Sequence, residues 1–233
     1  MNVSTRIFIS NEKLEEILAQ EIISILDKDL KEYNEAKLLL SGGSTPVKLY
    51  TKLSEFDINW ENVSVGLVDD RFVSVEDIDS NERMIKTCLI QNKASKAKFV
   101  GLIYDSENIN KNLELAINKN KTFLEGTSCV LLGMGVDGHT ASLFPNDEKS
   151  NNRLQEKTNS CPLVITNAPV KPRVRISYTT EQLLKTKNLF LYFIGDQKMK
   201  VFSEAKMNEQ AKAKPISSFI HQQEKLLQVF WTF

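Results

Sequence analysis

The feature that most restricts the fold of this 233-residue chain is a repeated alternation of short apolar runs with longer amphipathic segments. Residues 37–40 and 189–194 are almost continuously apolar, as strands are when helices cover both faces of a sheet. Between residues 11 and 31, apolar side chains recur at every third or fourth position, which predicts a helix with one buried face. This alternation predicts a single α/β domain over residues 1–233, with a mostly parallel sheet covered by helices on both faces.

The same two patterns predict the remaining elements. The polar stretch at residues 146–159 shows neither pattern and is predicted to be a surface excursion. The apolar tail, residues 228–231, is predicted to add an edge strand. Further strands are predicted at 63–68, 98–102, 128–132, 163–166 and 174–178, and further helices at 47–53, 80–91, 109–123 and 197–207.

Charge and cysteine content restrict the class of partner. The chain has 30 basic and 30 acidic residues, so bulk charge favours neither nucleic acid nor an acidic membrane. No apolar run reaches the roughly 18 residues of a membrane span, and the N-terminus lacks the pattern of a secretory signal. The three cysteines are widely spaced, as is typical of reduced thiols. We expect a cytoplasmic monomer that binds a small molecule, and neither nucleic acid nor a membrane, through a local site.

Residues 41–46 read Ser-Gly-Gly-Ser-Thr-Pro and lie between a predicted strand and a predicted helix. Such a turn presents backbone N–H groups at a helix N-terminus, where an anion is stabilised. Gly42 and Gly43, with the hydroxyls of Ser44 and Thr45, are therefore candidates for binding a phosphate. The structural alternative is a tight turn in which a hydroxyl caps the helix. The segment is not a P-loop, because no Gly-Lys-Ser/Thr follows it.

Residues 133–138 contain the pattern G-x-G-x-x-G directly after a predicted strand. This pattern suggests a dinucleotide site, but Pro145 follows too closely for the long helix that such a site requires. We therefore expect no dinucleotide cofactor. Glycines at this place would instead let the backbone approach a small ligand at the carboxyl end of the strand.

Asp137 lies close in sequence to His139, one of the 2 histidines in the chain. Histidine ordinarily titrates near pH 6.5, so a neutral imidazole can take a proton from water at neutral pH. A neighbouring carboxylate would orient the ring and stabilise its charged form. A structural histidine in the turn that follows is the alternative interpretation. The second histidine, His221, lies in a polar helical segment and is expected to be solvated or packed.

Other charged side chains lie at the ends of predicted strands. Asp69, Asp70 and Arg71 close the strand predicted at 63–68, Arg175 lies in a later strand, and Lys198 follows the apolar strand at 189–194. The carboxyl ends of strands are where α/β folds bind ligands. Each group is equally compatible with a surface ion pair or a solvated charge run. No set of histidines, cysteines and carboxylates has the spacing of a zinc site, so no metal is expected.

Together these segments resemble the 6-phosphogluconolactonase family. The matching segments follow the family order over most of the chain, and residues 132–145 are the most specific of them. They read Ser-Gly-Gly-Ser-Thr-Pro (41–46), Asp-Asp-Arg (69–71) with Ser80 and Asn81 downstream, Leu-Gly-Met-Gly-Val-Asp-Gly-His-Thr-Ala-Ser-Leu-Phe-Pro (132–145), Arg-Ile-Ser-Tyr-Thr (175–179) and Gly-Asp-Gln-Lys (195–198).

The resemblance implies a three-layer α/β/α, Rossmann-like fold with a mostly parallel sheet, like that of the glucosamine-6-phosphate deaminases. It also implies hydrolysis of a sugar-phosphate lactone, 6-phospho-D-glucono-1,5-lactone, in the oxidative pentose phosphate pathway, without a cofactor or metal. His139 would be the general base, Asp137 would orient it, and Arg71 would position the ligand or stabilise charge. The implied phosphate clamp consists of Gly42, Gly43, Ser44, Thr45, Arg175 and Lys198.

Two positions bear on competing hypotheses. Related deaminases read Gly-His-Ile-Ala-Phe-Asn-Glu-Pro where residues 138–145 stand here, so Phe144 replaces a carboxylate used in ring opening. Its absence favours lactone hydrolysis over deamination or isomerisation of an amino-sugar phosphate. A non-catalytic sugar-phosphate sensor is the third hypothesis, although a sensor would not need His139 beside Asp137. The family usually has Asp-Glu-Arg, and Asp70 is one methylene shorter, so no role in the site is assigned to it.

Overall fold

The computed structural model describes residues 1–145, 147, 161–207 and 214–233. The predicted surface excursion at 146–159 lies outside the described residues, apart from residue 147. The strands are β1 (Val3–Phe8), β2 (Ala36–Leu40), β3 (Val63–Leu67), β4 (Asp69–Arg71), β5 (Lys98–Val100), β6 (Cys129–Leu132), β7 (Leu163–Asn167), β8 (Val174–Tyr178), β9 (Asn188–Ile194) and β10 (Leu227–Thr232). The helices are α1 (Asn11–Tyr33), α2 (Val47–Glu55), α3 (Asn81–Cys88), α4 (Ile109–Lys119), α5 (Lys121–Leu124), α6 (Thr180–Leu183), α7 (Asp196–Met207) and α8 (Ser217–His221).

The central sheet contains seven parallel strands in the order β1-β10-β9-β6-β2-β3-β5. Connections from β1 to β5 run in one direction across this sheet, and connections from β5 to β10 run back in the other. Because crossovers between parallel strands are right-handed, α1 to α3 cover one face and α4 to α7 cover the other. The predicted three-layer architecture with a mostly parallel sheet is confirmed.

The direction of winding changes between β2 and β6, which are hydrogen-bonded neighbours. Segments that follow such strands leave toward opposite faces of the sheet, and a crevice opens beyond the carboxyl ends of the two strands. Residues 41–46 follow β2, and residues 133–139 follow β6. The topology therefore brings together two segments that are far apart in the sequence.

The first helix shows how local signals and burial agree. The Ser10 side chain accepts a hydrogen bond from the backbone N–H of Lys13 and caps the N-terminus of α1. At the other end, Asn34 adopts a left-handed conformation (φ 57°) and closes the helix. Each fully buried leucine or isoleucine on the inner face contributes about 1.5–3 kcal/mol by leaving water. The inner face carries Leu14, Leu18, Ile22 and Leu26.

A second sheet contains three antiparallel strands in the order β4-β8-β7. Residues 69–71, predicted as the charged end of the strand at 63–68, instead form a separate strand, β4, which pairs with β8. The strands predicted at 163–166 and 174–178 form, but they also belong to this second sheet. The central strand β8 pairs with β7 and with β4, and β4 lies about a hundred positions away in the sequence, so local periodicity does not reveal which sheet these strands join.

The structure also differs from the sequence predictions at the two ends of the chain. The strand β1 was not predicted from the sequence, because it lies at the sheet edge and its side chains are only partly buried or exposed. The C-terminal strand β10 is not an edge strand, since it pairs with β1 on one side and with β9 on the other. No helix among the described residues is long and apolar enough to cross a membrane.

Candidate active site

A cavity of about 340 Å³ lies beyond the carboxyl ends of β2 and β6. Its walls come from the segments after these two strands, from the second sheet and from the first turn of α7. Asp137 does not line the cavity but contacts His139, which does. The remaining residues predicted for the site all line it: Gly42, Gly43, Ser44, Thr45, Arg71, His139, Arg175 and Lys198.

The hydroxyl of Ser41 links the two segments at the crevice. Its Oγ donates to the carbonyl of Leu131 (2.9 Å) and accepts from the backbone N–H of Gly133 (2.9 Å). The backbone N–H of Ser41 also donates to the Leu131 carbonyl (3.1 Å). Ser41 is buried, so these bonds are not exchanged for bonds to water. The side chain and the backbone of Ser41 therefore hold the two segments together.

Residues 41–46 form an open turn that leads into α2. Gly43 has a φ of 99°, a conformation that favours glycine. No side chain caps α2, so its first backbone N–H groups have no side-chain acceptor. The alternative of a hydroxyl-capped turn is therefore wrong for this helix. Ser44 and Thr45 lie in the cavity wall formed by the same turn.

Asp137 and His139 form a hydrogen-bonded pair. Asp137 Oδ1 lies 2.6 Å from Nδ1 of His139 and also accepts from the His139 backbone N–H (3.1 Å). Burial opposes ionisation of Asp137, but the hydrogen bond and charge of His139 hold its pKa below the ordinary value. An ionised carboxylate only accepts, so Nδ1 carries a proton and Nε2 is the nitrogen that can take one from a ligand or water.

The backbone around this pair is sterically and conformationally constrained. A Cβ atom on Gly135 would overlap the His139 ring, so glycine is required at this position. Ala141 adopts a left-handed conformation (φ 48°), which costs about 1–2 kcal/mol for a residue with a Cβ. The ring of Phe144 lies 5.0 Å from the ring of His139, measured between centroids. The imidazole is therefore held by a carboxylate on one side and an aromatic ring on another.

Two guanidinium groups meet at the wall formed by the second sheet. Arg71 and Arg175 are directly opposed on β4 and β8, and no described carboxylate forms an ion pair with either. Arg71 donates to the carbonyl of Asp79, whereas the buried Nε of Arg175 has no partner in the described structure. Burial and the neighbouring charge of Arg71 lower the pKa of Arg175. Two cations that repel each other in a partly dry cavity create a site for an anion.

Lys198 adds a third cation from the other side of the cavity. It lies in the first turn of α7, shortly after Gly195, whose φ is 96°. Burial lowers the pKa of Lys198, and no described carboxylate pairs with it. The ammonium group thus contributes positive charge to the same space as the two guanidinium groups.

Sequence reasoning missed the contribution of Asp69 and Ser142. Both line the cavity, and Ser142 Oγ donates to Asp69 Oδ2 at 2.5 Å. Burial raises the pKa of Asp69, although the bond from Ser142 and the charges of Arg71 and Arg175 oppose that shift. The only sequence signal was the charged cluster at residues 69–71. The contact between Ser142 and Asp69 joins residues 73 positions apart, so no local sequence pattern indicates it.

Asp70 points away from the cavity and holds the start of α3. Its carboxylate accepts from the backbone N–H groups of Asn81 (2.7 Å) and Glu82 (3.1 Å), and also from that of Arg71 (2.7 Å). Burial raises the pKa of Asp70 to about 7 despite these bonds. Asp70 is therefore a structural group that joins β4 to α3. Among the described residues, no group of three or more histidine, cysteine or carboxylate side chains could hold a metal ion.

The fold and the site define a doubly wound α/β protein with a cation-lined cavity at its switch point, beside a histidine–aspartate pair. Comparison with known proteins identifies the family within this class. Residues 9–231 match the model of the family described as glucosamine-6-phosphate isomerases/6-phosphogluconolactonase, and the chain belongs to this family.

Individual relatives agree with that membership. The chain is 30% identical to the 6-phosphogluconolactonase of Rhizobium meliloti (strain 1021) over 99% of both chains. It is 34% identical to that of Xylella fastidiosa (strain 9a5c), over 92% of this chain and 90% of the relative. The crystal structure of a 6-phosphogluconolactonase from Shewanella baltica OS155 superimposes with a TM-score of 0.93 at 34% identity, covering 99% of this chain and 98% of the other.

The arrangement of cations predicts that a simple oxyanion stabilises the fold. Inorganic phosphate should raise the free energy of unfolding of the wild-type protein by about 2.7 kcal/mol at a hundredfold excess over its Kd. Arg175→Met should remove most of this gain, because it deletes the buried guanidinium. Arg173→Met is the matched control, since Arg173 is exposed on the same segment and does not line the cavity. Equal stabilisation of all three proteins in thermal unfolding would contradict the assignment.

The raised pKa of Asp70 predicts that the free energy of unfolding depends on pH. Its pKa is about 7 in the folded protein and 3.8 in the reference state, so the folded state binds more protons between these values. The stability that Asp70 contributes is full below about pH 4 and decreases as the pH rises through 7. The change amounts to a few kcal/mol at most, since one pKa unit corresponds to about 1.4 kcal/mol.

Urea unfolding of the wild type and Asp70→Asn across this range measures the effect. The wild type should lose stability relative to the variant as the pH rises from 4 to 7. Asp57→Asn is the control, because the Asp57 side chain is 81% exposed and its difference from wild type should stay flat. A flat difference for Asp70→Asn would refute the prediction.

Proposed function

We propose that this protein hydrolyses 6-phospho-D-glucono-1,5-lactone to 6-phospho-D-gluconate, a step of the oxidative pentose phosphate pathway. The observation that carries the proposal is that one cavity is lined both by His139, paired with Asp137, and by a cluster of cations without carboxylate partners among the described residues. A cavity of about 340 Å³ accommodates a hexose phosphate. Relatives named 6-phosphogluconolactonase match nearly the whole chain, which supports the same assignment.

The phosphate of the substrate is bound by residues 42–45 together with Arg175 and Lys198. The free backbone N–H groups at the start of α2 and the helix dipole favour an anion there. The phosphate accepts a hydrogen bond from the buried Arg175 Nε, which has no partner within the described structure. Binding energy from the phosphate holds the lactone carbonyl in place for attack.

The chemical step uses the histidine–aspartate pair. His139 Nε2 takes a proton from a water molecule as that water attacks the lactone carbonyl carbon. Asp137 keeps Nδ1 protonated and stabilises the imidazolium that forms. Arg71 lines the same cavity and stabilises the oxyanion of the tetrahedral intermediate. Collapse of this intermediate breaks the ring C–O bond, and the imidazolium returns its proton to the departing alkoxide.

Phe144 favours this reaction over ring-opening deamination or isomerisation. Deaminases in the wider family carry a glutamate at the corresponding position, which relays a proton. Here the position holds an apolar ring that lines the cavity and packs near His139. An aromatic ring cannot transfer a proton, so this position provides no such relay. The cytoplasmic location, the monomeric state and the independence from a metal or cofactor stay predictions.

A direct assay separates the three hypotheses. The purified protein is mixed with freshly prepared 6-phosphogluconolactone, and acid release is followed against the spontaneous rate at constant pH. A lactonase releases acid faster than the spontaneous rate and does not release ammonia from glucosamine 6-phosphate. Ammonia release would indicate a deaminase, and binding without turnover of either compound would indicate a sensor. Phosphate-free gluconolactone should be a much poorer substrate if the clamp operates.

The role of His139 predicts a specific kinetic defect. His139→Asn should lower kcat by roughly 10²–10⁴, with little change in KM if chemistry is rate-limiting, because only proton transfer is lost. His221→Asn is the matched control, since His221 bonds to the carbonyl of Ala205 (2.9 Å) and does not line the cavity. Near-normal kcat in His139→Asn would remove this residue from the role of base.

A further inference from the structure

The cavity contains two oxygen acceptors to which the proposed mechanism gives no role. Among the described residues, Asp69 and Asn81 supply the carboxylate and amide side chains that line it. Both are buried, with exposed fractions of 7% and 3%. Asp69 Oδ2 accepts from Ser142, whereas Asp69 Oδ1 accepts from no described residue. Asn81 Nδ2 donates to the backbone carbonyl of Asp69 (3.0 Å), and Asn81 Oδ1 also accepts from no described residue.

The position of Asn81 is fixed by its surroundings. Asn81 is the first residue of α3, and its backbone N–H donates to Asp70 Oδ1. Its amide lies directly against the backbone of Gly42, where any Cβ would overlap it. A glycine at position 42 is therefore needed to admit this amide to the cavity wall. A side chain held this firmly, with an unused acceptor, is preorganised for a ligand.

The cations in the wall cannot serve as acceptors, and its two tyrosine hydroxyls already donate to protein groups. Arg71, Arg175 and Lys198 only donate. The hydroxyl of Tyr50 already donates to the Ser41 carbonyl (2.6 Å), and that of Tyr192 donates to Asn11 (2.6 Å). A polyhydroxylated lactone brings secondary hydroxyl groups on C2, C3 and C4 into the cavity. Each hydroxyl that leaves water needs an acceptor, because its desolvation otherwise weakens the complex.

We propose that Asp69 Oδ1 and Asn81 Oδ1 accept hydrogen bonds from secondary hydroxyl groups of the sugar ring. They are specificity-determining residues, which select a polyhydroxylated ring over one that lacks a hydroxyl at the contacted position. This inference rests on the proposed function. It assigns the wall between residues 41–46 and the second sheet to the sugar ring, between the phosphate clamp and His139.

The wild-type protein alone gives the first test. Its catalytic efficiency, kcat/KM, is measured with the parent phosphorylated lactone and with the 2-deoxy, 3-deoxy and 4-deoxy analogues, each corrected for spontaneous hydrolysis. At least one deoxy analogue should be poorer by about 10- to 100-fold, because a buried acceptor then stays unpaired. Equal catalytic efficiency on all four lactones would overturn the inference without any variant having to fold.

Two variants of Asn81 separate a substrate contact from a structural role. Asn81→Ala and Asn81→Asp both lose the bond from Nδ2 to the Asp69 carbonyl, but only Asn81→Asp keeps a side-chain oxygen. Asn81→Ala should lose about 10-fold or more on the parent lactone and little on one deoxy analogue. Asn81→Asp should keep the discrimination between these two substrates. Equal discrimination by both variants would show a purely structural role and overturn the assignment of Asn81.

Asp69→Asn tests the second acceptor. Its amide oxygen can still accept from Ser142, so an N–H group rather than a lone pair would face the sugar. The variant should lose selectivity at one hydroxyl position, with a smaller deficit on the matching deoxy analogue. The same deficit on all four lactones would overturn the assignment of Asp69.

Tyr192→Phe is the matched control for all three variants. Its hydroxyl is directed to Asn11 rather than to the cavity contents, so any loss should be the same on every lactone. Failure of this inference is distinguishable from failure of the proposed function. A wild type that hydrolyses no lactone above the spontaneous rate refutes the function itself. A wild type that hydrolyses all four lactones equally well refutes only the hydroxyl contacts.

Discussion

The site depends on the pairing of β2 with β6 and on the Ser41 hydroxyl that extends this pairing beyond the strands. The segment after β2 carries the glycine-rich turn at residues 41–46, and the segment after β6 carries His139. Parallel neighbours end at the same edge of a sheet, and a change of winding direction at this pair keeps helices from filling the space between them. One buried hydroxyl with two backbone partners then holds these two segments together.

Positive charge without ionic partners among the described residues distinguishes the cavity from the rest of the surface. Arg71 and Arg175 face each other across an antiparallel pair, and neither has an ionic partner among the described residues. Asp69 lies nearby but is bound by Ser142, so it moderates the positive charge without occupying the space of a ligand. Folding therefore leaves a repulsion that an incoming oxyanion relieves. The cavity therefore carries local positive charge even though the chain as a whole has no net charge.

Local patterns predicted much of this molecule, and the exceptions have a common cause. The helix at 11–31 and the strands at 37–40 and 189–194 were predicted correctly, because burial on one or both faces imposes a period that can be counted. The strand β1 and the interior position of β10 were missed, because these two strands pair across opposite ends of the chain. No role was predicted for Asp70, since its three bonds to backbone N–H groups exist only after β4 and α3 meet.

The sequence by itself determined the fold class, the family resemblance and the segments that carry the chemistry. Composition, periodicity and the order of short motifs are properties of the chain as written. Only the tertiary structure decided which side chains share one cavity, that Arg175 Nε lacks a partner among the described residues, and that Asn81 reaches the wall through the space left by Gly42. These facts depend on distances between residues tens of positions apart. Such distances are set by strand order and packing, which no local pattern encodes.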